Sequence, residues 1–163
     1  MEDLLKNLVF LIHYYQKKKK KEWDWKKKEL NIDKTSLDLN ELIKIAVSHV
    51  QLLLENKKGS INLKLNADKS EIYGNETHLT NVIINIIDNA IKYCDKKPNI
   101  EVVTENIDDK IAMKIQDNGV GMSKNVQNKI FDKFYREHTG DLHNIKGHGL
   151  GLAYVKKIVD YHN

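Results

Sequence analysis

The sequence predicts an α+β protein, in which amphipathic helices alternate with short half-buried strands. Three observations carry that prediction. Leu42–Leu54 and Asn81–Tyr93 repeat apolar residues at helical spacing. Ile61, Leu63 and Leu65 alternate with polar residues, and residues 100–105 and 110–116 read as two strands across a short turn. Glycine clusters at Gly119–Gly121 and Gly147–Gly151 punctuate the second half of the chain.

Composition bounds the answer. A chain of 163 residues suits one domain with an appendage, and 40% apolar with 31% charged content is that of a globular protein. The single cysteine, Cys94, excludes an internal disulfide framework and a cysteine-cluster zinc site, and suits a reducing, cytoplasmic setting. The formal charge is +4, with much of the lysine in two runs, Lys17–Lys21 and Lys26–Lys28. Such runs bind nucleic acid or anionic membrane in some proteins, but more often they are solvated helix faces. No specific nucleic-acid partner is expected. No stretch approaches the ~20 apolar residues of a membrane helix. A membrane would therefore be reached only through a region outside this chain.

Residues 1–30 read as a helix, with Leu4, Leu8, Leu11 and Tyr15 in one stripe. That stripe needs a partner, either the following domain or a second copy in a homodimer. Residues 31–40 look like a linker, and Asn40 resembles the N-cap of the next helix, which ends near Gly59. Then come the strand at Ile61–Leu65, a turn at Asn66–Ser70 and a short extended piece at Glu71–Tyr73. Gly74-Asn75 leads into the helix at Asn81–Tyr93, and Pro98 marks its exit. After the strand pair, residues 119–146 carry little regular periodicity apart from a short helix near residues 124–130. A segment of this length and irregularity is usually functional or disordered. Gly147–Gly151 opens the last helix, whose apolar face is Leu150, Leu152, Val155, Ile158 and Val159.

Chemistry concentrates at three places. The helix Asn81–Tyr93 is apolar around most of its girth, interrupted by a stripe of Asn81, Asn85, Asn89 and Lys92. Asparagine is a poor helix former, so Asn85 and Asn89 on one face suggest a ligand, and an amide oxygen is a hard donor suited to Mg²⁺. A satisfied polar seam between packed elements explains the same stripe equally well. Asp117-Asn118-Gly119-Val120-Gly121 follows a strand directly. An aspartate there accepts from the exocyclic amine of adenine and repels the corresponding guanine oxygen, and the glycines let a flat ligand approach. An ordinary Asx turn is the plainer account. Gly147-His148-Gly149-Leu150-Gly151 opens a helix, where freed amides and the dipole make an anion site, or else a hinge. It is neither a Walker loop nor a dinucleotide fingerprint.

The ordered combination resembles the ATP-binding domain of sensor histidine kinases. DNAIKY at 88–93, KIFDKFYR at 129–136 and GHGLGL at 147–152 look like that family's boxes, and the resemblance covers residues 36–163, leaving 1–35 as a helix and linker. It implies an α/β two-layer sandwich of Bergerat type, with helices on one face of a mixed, mostly antiparallel sheet. It also implies roles. Asn89 would coordinate Mg²⁺, with Asn85 assisting at the metal and phosphates and Lys92 contacting phosphate. Tyr93 would pack near the nucleotide, and Asp117 would bind the adenine amine, with Gly119 and Gly121 shaping the base pocket. Phe131, Phe134 and Arg136 belong to the ATP lid of such proteins. Gly147, Gly149, Leu150 and Gly151 would close the lid's end on the phosphates. In the related hydrolysing group (gyrase, the mismatch-repair ATPase, the large heat-shock chaperone) a glutamate stands where Asn85 is. An amide cannot take a proton from water, so hydrolysis should be slow and transfer to a protein histidine favoured.

The chain departs from the family's pattern twice. None of His13, His49, His78, His138, His143, His148 or His162 has the context of the phosphoacceptor histidine. The acceptor is therefore expected on a separate or missing dimerisation domain, of which residues 1–30 resemble a loose remnant, and a response regulator is the implied downstream partner. The family's domain normally continues past the last helix with a two-stranded hairpin. Its absence predicts an exposed sheet edge. Rival readings are a non-catalytic nucleotide-binding or dimerisation fragment, a serine kinase of the anti-sigma type and, weakest, a nucleic-acid binder resting on the lysine runs.

Overall fold

The computed structural model describes residues 7–12, 32–136 and 149–162. In chain order the elements are β1 (Asn7–Ile12), β2 (Thr35–Asp38), α1 (Leu39–Asn56), β3 (Ser60–Leu65), β4 (Glu71–Gly74), α2 (Glu76–Lys92), β5 (Asn99–Ile107), β6 (Lys110–Gln116), α3 (Lys124–Gln127) and α4 (Gly151–His162). The main sheet runs β1-β6-β5-β3, and β2 pairs with β4 in a separate ribbon. Only the β3–β5 pairing is parallel, so the sheet is mixed and mostly antiparallel, as expected.

One face of the sheet builds the core. Ile100, Val102 and Thr104 on β5 lie across from Ile61, Leu63 and Leu65 on β3. Val102 and Thr104 lie across from Ile115 and Met113 on β6. Strand residues two apart share a face, so these positions form one apolar layer. Against it pack Ile43, Ala46, Val50 and Leu54 of α1, Val82, Ile83, Ile86, Ile87 and Ile91 of α2, and Val155 and Ile158 of α4. Burying each of these large aliphatic side chains stabilises the fold by about 1.5–3 kcal/mol relative to exposure.

The helix starts differ from the sequence reading. Asp38, not Asn40, caps α1, its Oδ1 accepting the Glu41 N–H at 3.1 Å. A hydrogen bond from the Ser70 hydroxyl is the chief reason its carboxyl is held below the usual aspartate range. Asn40 lies just inside the helix and bridges the layers instead. Its Nδ2 donates to Ala67 O at 3.2 Å and its Oδ1 accepts from Thr104 Oγ1 at 2.8 Å. Helix α2 starts at Glu76, capped by Asn75, whose Oδ1 accepts the His78 N–H at 3.0 Å. The assumed linker before α1 contains β2, because its backbone finds β4 in the register Thr35↔Gly74 to Asp38↔Glu71.

The largest correction is at the N-terminus. The helix expected over residues 1–30 is, at Asn7–Ile12, a strand paired with β6 from Asn7↔Gln116 to Ile12↔Ile111. A short continuous apolar run such as NLVFLI does not distinguish strand from helix by periodicity. The edge of β6 offers a row of backbone partners, and pairing with it prevails over local preference. In the described sheet β6 is thus flanked by β1 and β5. The rest of residues 1–30, with both lysine runs and both tryptophans, lies outside the described residues.

Candidate nucleotide-binding site

Helix α2 carries Asn85, Asn89 and Lys92, all half-buried, while its opposite faces are buried in the core. Asn85 and Asn89 stand one turn apart, about 6 Å along the axis. The Asn85 amide is held in place, its Nδ2 donating to the Asn81 carbonyl at 2.7 Å. Its Oδ1 faces Gly151, the first residue of α4, so closely that a methyl group at Gly151 would stand 2.7 Å from it. A side chain at position 151 would oblige the Asn85 amide to shift. Lys92 Nζ forms an ion pair with Asp88 Oδ2 one turn earlier, at 2.5 Å.

The other end of α2 meets the Asp117 loop. The Tyr93 carbonyl accepts the Val120 N–H at 3.1 Å. A methyl group on Gly119 would lie 2.8 Å from that carbonyl and 2.8 Å from Asp117 Oδ1. Asp117 Oδ1 itself accepts the Gly119 N–H at 2.8 Å, so the Asx turn is present and fixes the carboxylate against its own loop. Gly121 has a positive φ of 74° and open space where a side chain would stand, leaving room beside the loop. Asn118, passed over in the sequence reading, stitches this loop to the turn after α2. Its Nδ2 donates to Lys97 O at 2.9 Å and its Oδ1 accepts the Asn99 N–H at 2.8 Å.

The described residues on either side of positions 137–148 meet each other and α4. Phe131 lies beneath the Lys156 ammonium, 5.8 Å from its ring centre. Phe134 adopts a positive φ of 66°, rare for a bulky residue, and its side chain is 72% exposed. Its N–H donates to Gly149 O at 2.9 Å. Gly149 also has a positive φ, and a methyl group there would meet the backbone of Phe134 and Tyr135 at 2.8 Å. Arg136 and Leu150 are exposed near these two ends. Gly147 lies outside the described residues.

Helix α4 begins without the kind of cap the other helices have. Asp38, Asn75 and Ser123 each accept an amide at the starts of α1, α2 and α3. Leu150, before α4, has no side-chain oxygen to offer, and among the described residues no side chain is seen to accept the first-turn amides of this twelve-residue helix, a helix start of the kind that can receive an anion. Among the described residues no cluster of three His, Cys, Asp or Glu side chains could hold a metal. The half-buried amides of Asn85 and Asn89 fit a hard cation that takes most of its oxygens from water and from a phosphate ligand.

Of the predicted residues, the fold brings Asn85 to Gly151 and Tyr93 to Gly119, so a single helix touches both glycine loops. Phe134 joins Gly149, while Phe131 sits farther along, under α4. Nothing in the local sequence marks Asn118 as a bridge, since its partners lie about twenty positions upstream in the chain.

Comparison with known proteins points the same way. Residues 74–163 match the profile of a family described as histidine kinase-, DNA gyrase B- and HSP90-like ATPases. The chain is 49% identical over 130 residues to the sensor protein RprX of Bacteroides fragilis (strain YCH46), covering 77% of this chain and 25% of that protein. It is 40% identical over 87 residues to the sensor protein kinase WalK of Staphylococcus aureus, covering 52% of this chain and 21% of that protein. The chain thus spans a quarter or less of the length of these relatives. Among solved structures, a mycobacterial sensor histidine kinase, MprB, superposes with a TM-score of 0.65 at 26% identity, over 78% of this chain and 79% of that one.

Proposed function

The chain belongs to the histidine kinase-, DNA gyrase B- and HSP90-like ATPase family, and from that membership we propose that it binds Mg·ATP and hands the γ-phosphoryl group to a histidine on an acceptor domain. The observation that carries the reading is the double contact of α2, through Asn85 with Gly151 and through the Tyr93 carbonyl with Gly119 and Val120. That arrangement holds a base-recognising loop and an anion-accepting helix start at fixed places along one helix.

In this reading Asp117 accepts the adenine amine, and Gly119 and Gly121 give the ring its room. The amides at the start of α4 receive phosphate oxygens. Lys92 exchanges its bond with Asp88 for one to phosphate, and Tyr93 packs beside the nucleotide. Asn89, with Asn85 beside it, would hold a magnesium ion, which would supply neutralisation of the phosphate charge. Asn85 has no basic oxygen with which to deprotonate water, so the bound nucleotide is kept for a protein nucleophile rather than hydrolysed. Phe131, Phe134, Arg136 and Gly147–Gly151 frame a lid that keeps water from the γ-phosphate. The partners are an acceptor domain carrying the histidine and, downstream, a response regulator, and the setting is cytoplasmic. No helix among the described residues is long and apolar enough to cross a membrane.

Labelled ATP, supplied with a histidine-bearing dimerisation domain, tests the proposal. Acid-labile label on that domain is the expected result, and Asn89→Ala abolishes magnesium-dependent ATP binding. Acid-stable label would assign the chain to a serine kinase instead. Tight ATP binding with no labelled acceptor would leave it a nucleotide-binding module.

A further inference from the structure

We propose that Lys57 is a positioning residue for the Asp117 loop, acting from the end of α1 on the turn that follows α2. The inference deepens the ATP-site reading and rests on it for its functional consequence. The Lys57 ammonium donates to Ile91 O at 2.7 Å, to Cys94 O at 3.1 Å and, more loosely, to Lys92 O at 3.4 Å. An ammonium has three donors, and here all three meet carbonyls at the C-terminal end of one helix. Those carbonyls lack helical partners and sit at the negative end of the helix dipole, so a cation is the group that suits them.

The three carbonyls bracket Tyr93. Its own carbonyl points the other way along the chain of contacts, accepting the Val120 N–H at 3.1 Å. By bonding the carbonyls of Lys92 and Cys94, Lys57 holds the peptides on either side of the one that carries the Tyr93 carbonyl, and so keeps that turn in place. On the far side of the turn, Asn118 bonds to Lys97 O and Asn99 N. The loop carrying Asp117 is therefore held from both ends of the segment 93–99, and Lys57 is the anchor that reaches it from another helix. Helix α1 makes no other such contact with that segment among the hydrogen bonds of the described residues.

Two substitutions of Lys57 in the whole chain test this. Lys57→Met keeps the stem and removes the donors, and Lys57→Arg keeps charge and donors. In nucleotide-free protein, amide exchange at Val120 is expected to quicken in Lys57→Met and to stay slow in Lys57→Arg. ATP affinity is expected to fall roughly threefold to tenfold in Lys57→Met, with a lower preference for ATP over GTP, and to recover in Lys57→Arg. A residue that merely caps α2 would lower the melting midpoint and leave Val120 exchange and base preference as they were. That result overturns the proposal. If the unaltered chain binds no ATP, the nucleotide-site reading fails, and Val120 exchange still decides whether Lys57 holds the loop.

Discussion

Gly119→Ala gives the sharpest test of how the Asp117 loop, the proposed base-recognising element, is built. The added methyl would stand 2.8 Å from the Tyr93 carbonyl oxygen and 2.8 Å from Asp117 Oδ1. One neighbour is backbone and the other is fixed by the Gly119 N–H, so neither yields freely. Relief requires the loop to swing away, losing both the Val120 bond and the Asp117 bond. A neutral bond of the first kind contributes about 0.5–1.5 kcal/mol, and a charged one of the second about 1.5–3 kcal/mol. Restoring the competent loop on binding then costs about 2–4 kcal/mol, which weakens ATP roughly thirtyfold to a thousandfold. Gly121→Ala is the control. Its methyl enters open space, and only the positive φ of 74° opposes it. That strain amounts to about 1–2 kcal/mol, or roughly fivefold to thirtyfold. Calorimetric titration of both variants with Mg·ATP, alongside their melting midpoints, compares the two. A Gly119→Ala chain binding within about threefold of the unaltered protein, or a Gly121→Ala chain binding more weakly than Gly119→Ala, refutes the reasoning.

Asp117→Asn replaces an acceptor-only carboxylate with a mixed amide, and the preference for ATP over GTP in competition titrations should shrink by roughly tenfold or more. Ile87→Ala opens a cavity beneath a fully buried position of α2, and urea unfolding should show a loss of about 2–5 kcal/mol with the m-value unchanged. His162 lies on α4, its Nε2 accepting the Asn75 N–H at 3.2 Å and its Nδ1 bonding to Ile158 O at 2.8 Å. Burial, reinforced by nearby Lys34 and His78, pushes its pKa below the ordinary 6.5. Stability from the neutral ring is thus complete above 6.5 and is lost as pH falls from there through the lowered folded value. Urea midpoints should drop between about pH 7.5 and about pH 5.5, and His162→Gln should lessen that drop. An equal drop in the variant would show that other groups carry the effect.

The sequence by itself determined the helices of the core, the alternation in β3, the presence of β5 and β6, and the order of three motifs along the chain. Those features are written in local spacing, because helix and strand periods dictate which side chains share a face. The stripe of Asn85, Asn89 and Lys92 was legible for the same reason. Tertiary structure alone decided what depends on distant backbone. Asn7–Ile12 became a strand because β6 offered an edge, and Thr35–Asp38 because β4 did. Asp38 took the cap of α1 with help from Ser70, thirty-two positions away. The need for glycine at 119 and 149 lies in close approaches to the backbone of Tyr93 and Phe134, which no window of sequence contains. Local periodicity settles which face of an element is apolar, whereas backbone pairing and steric approach are settled only when the elements meet.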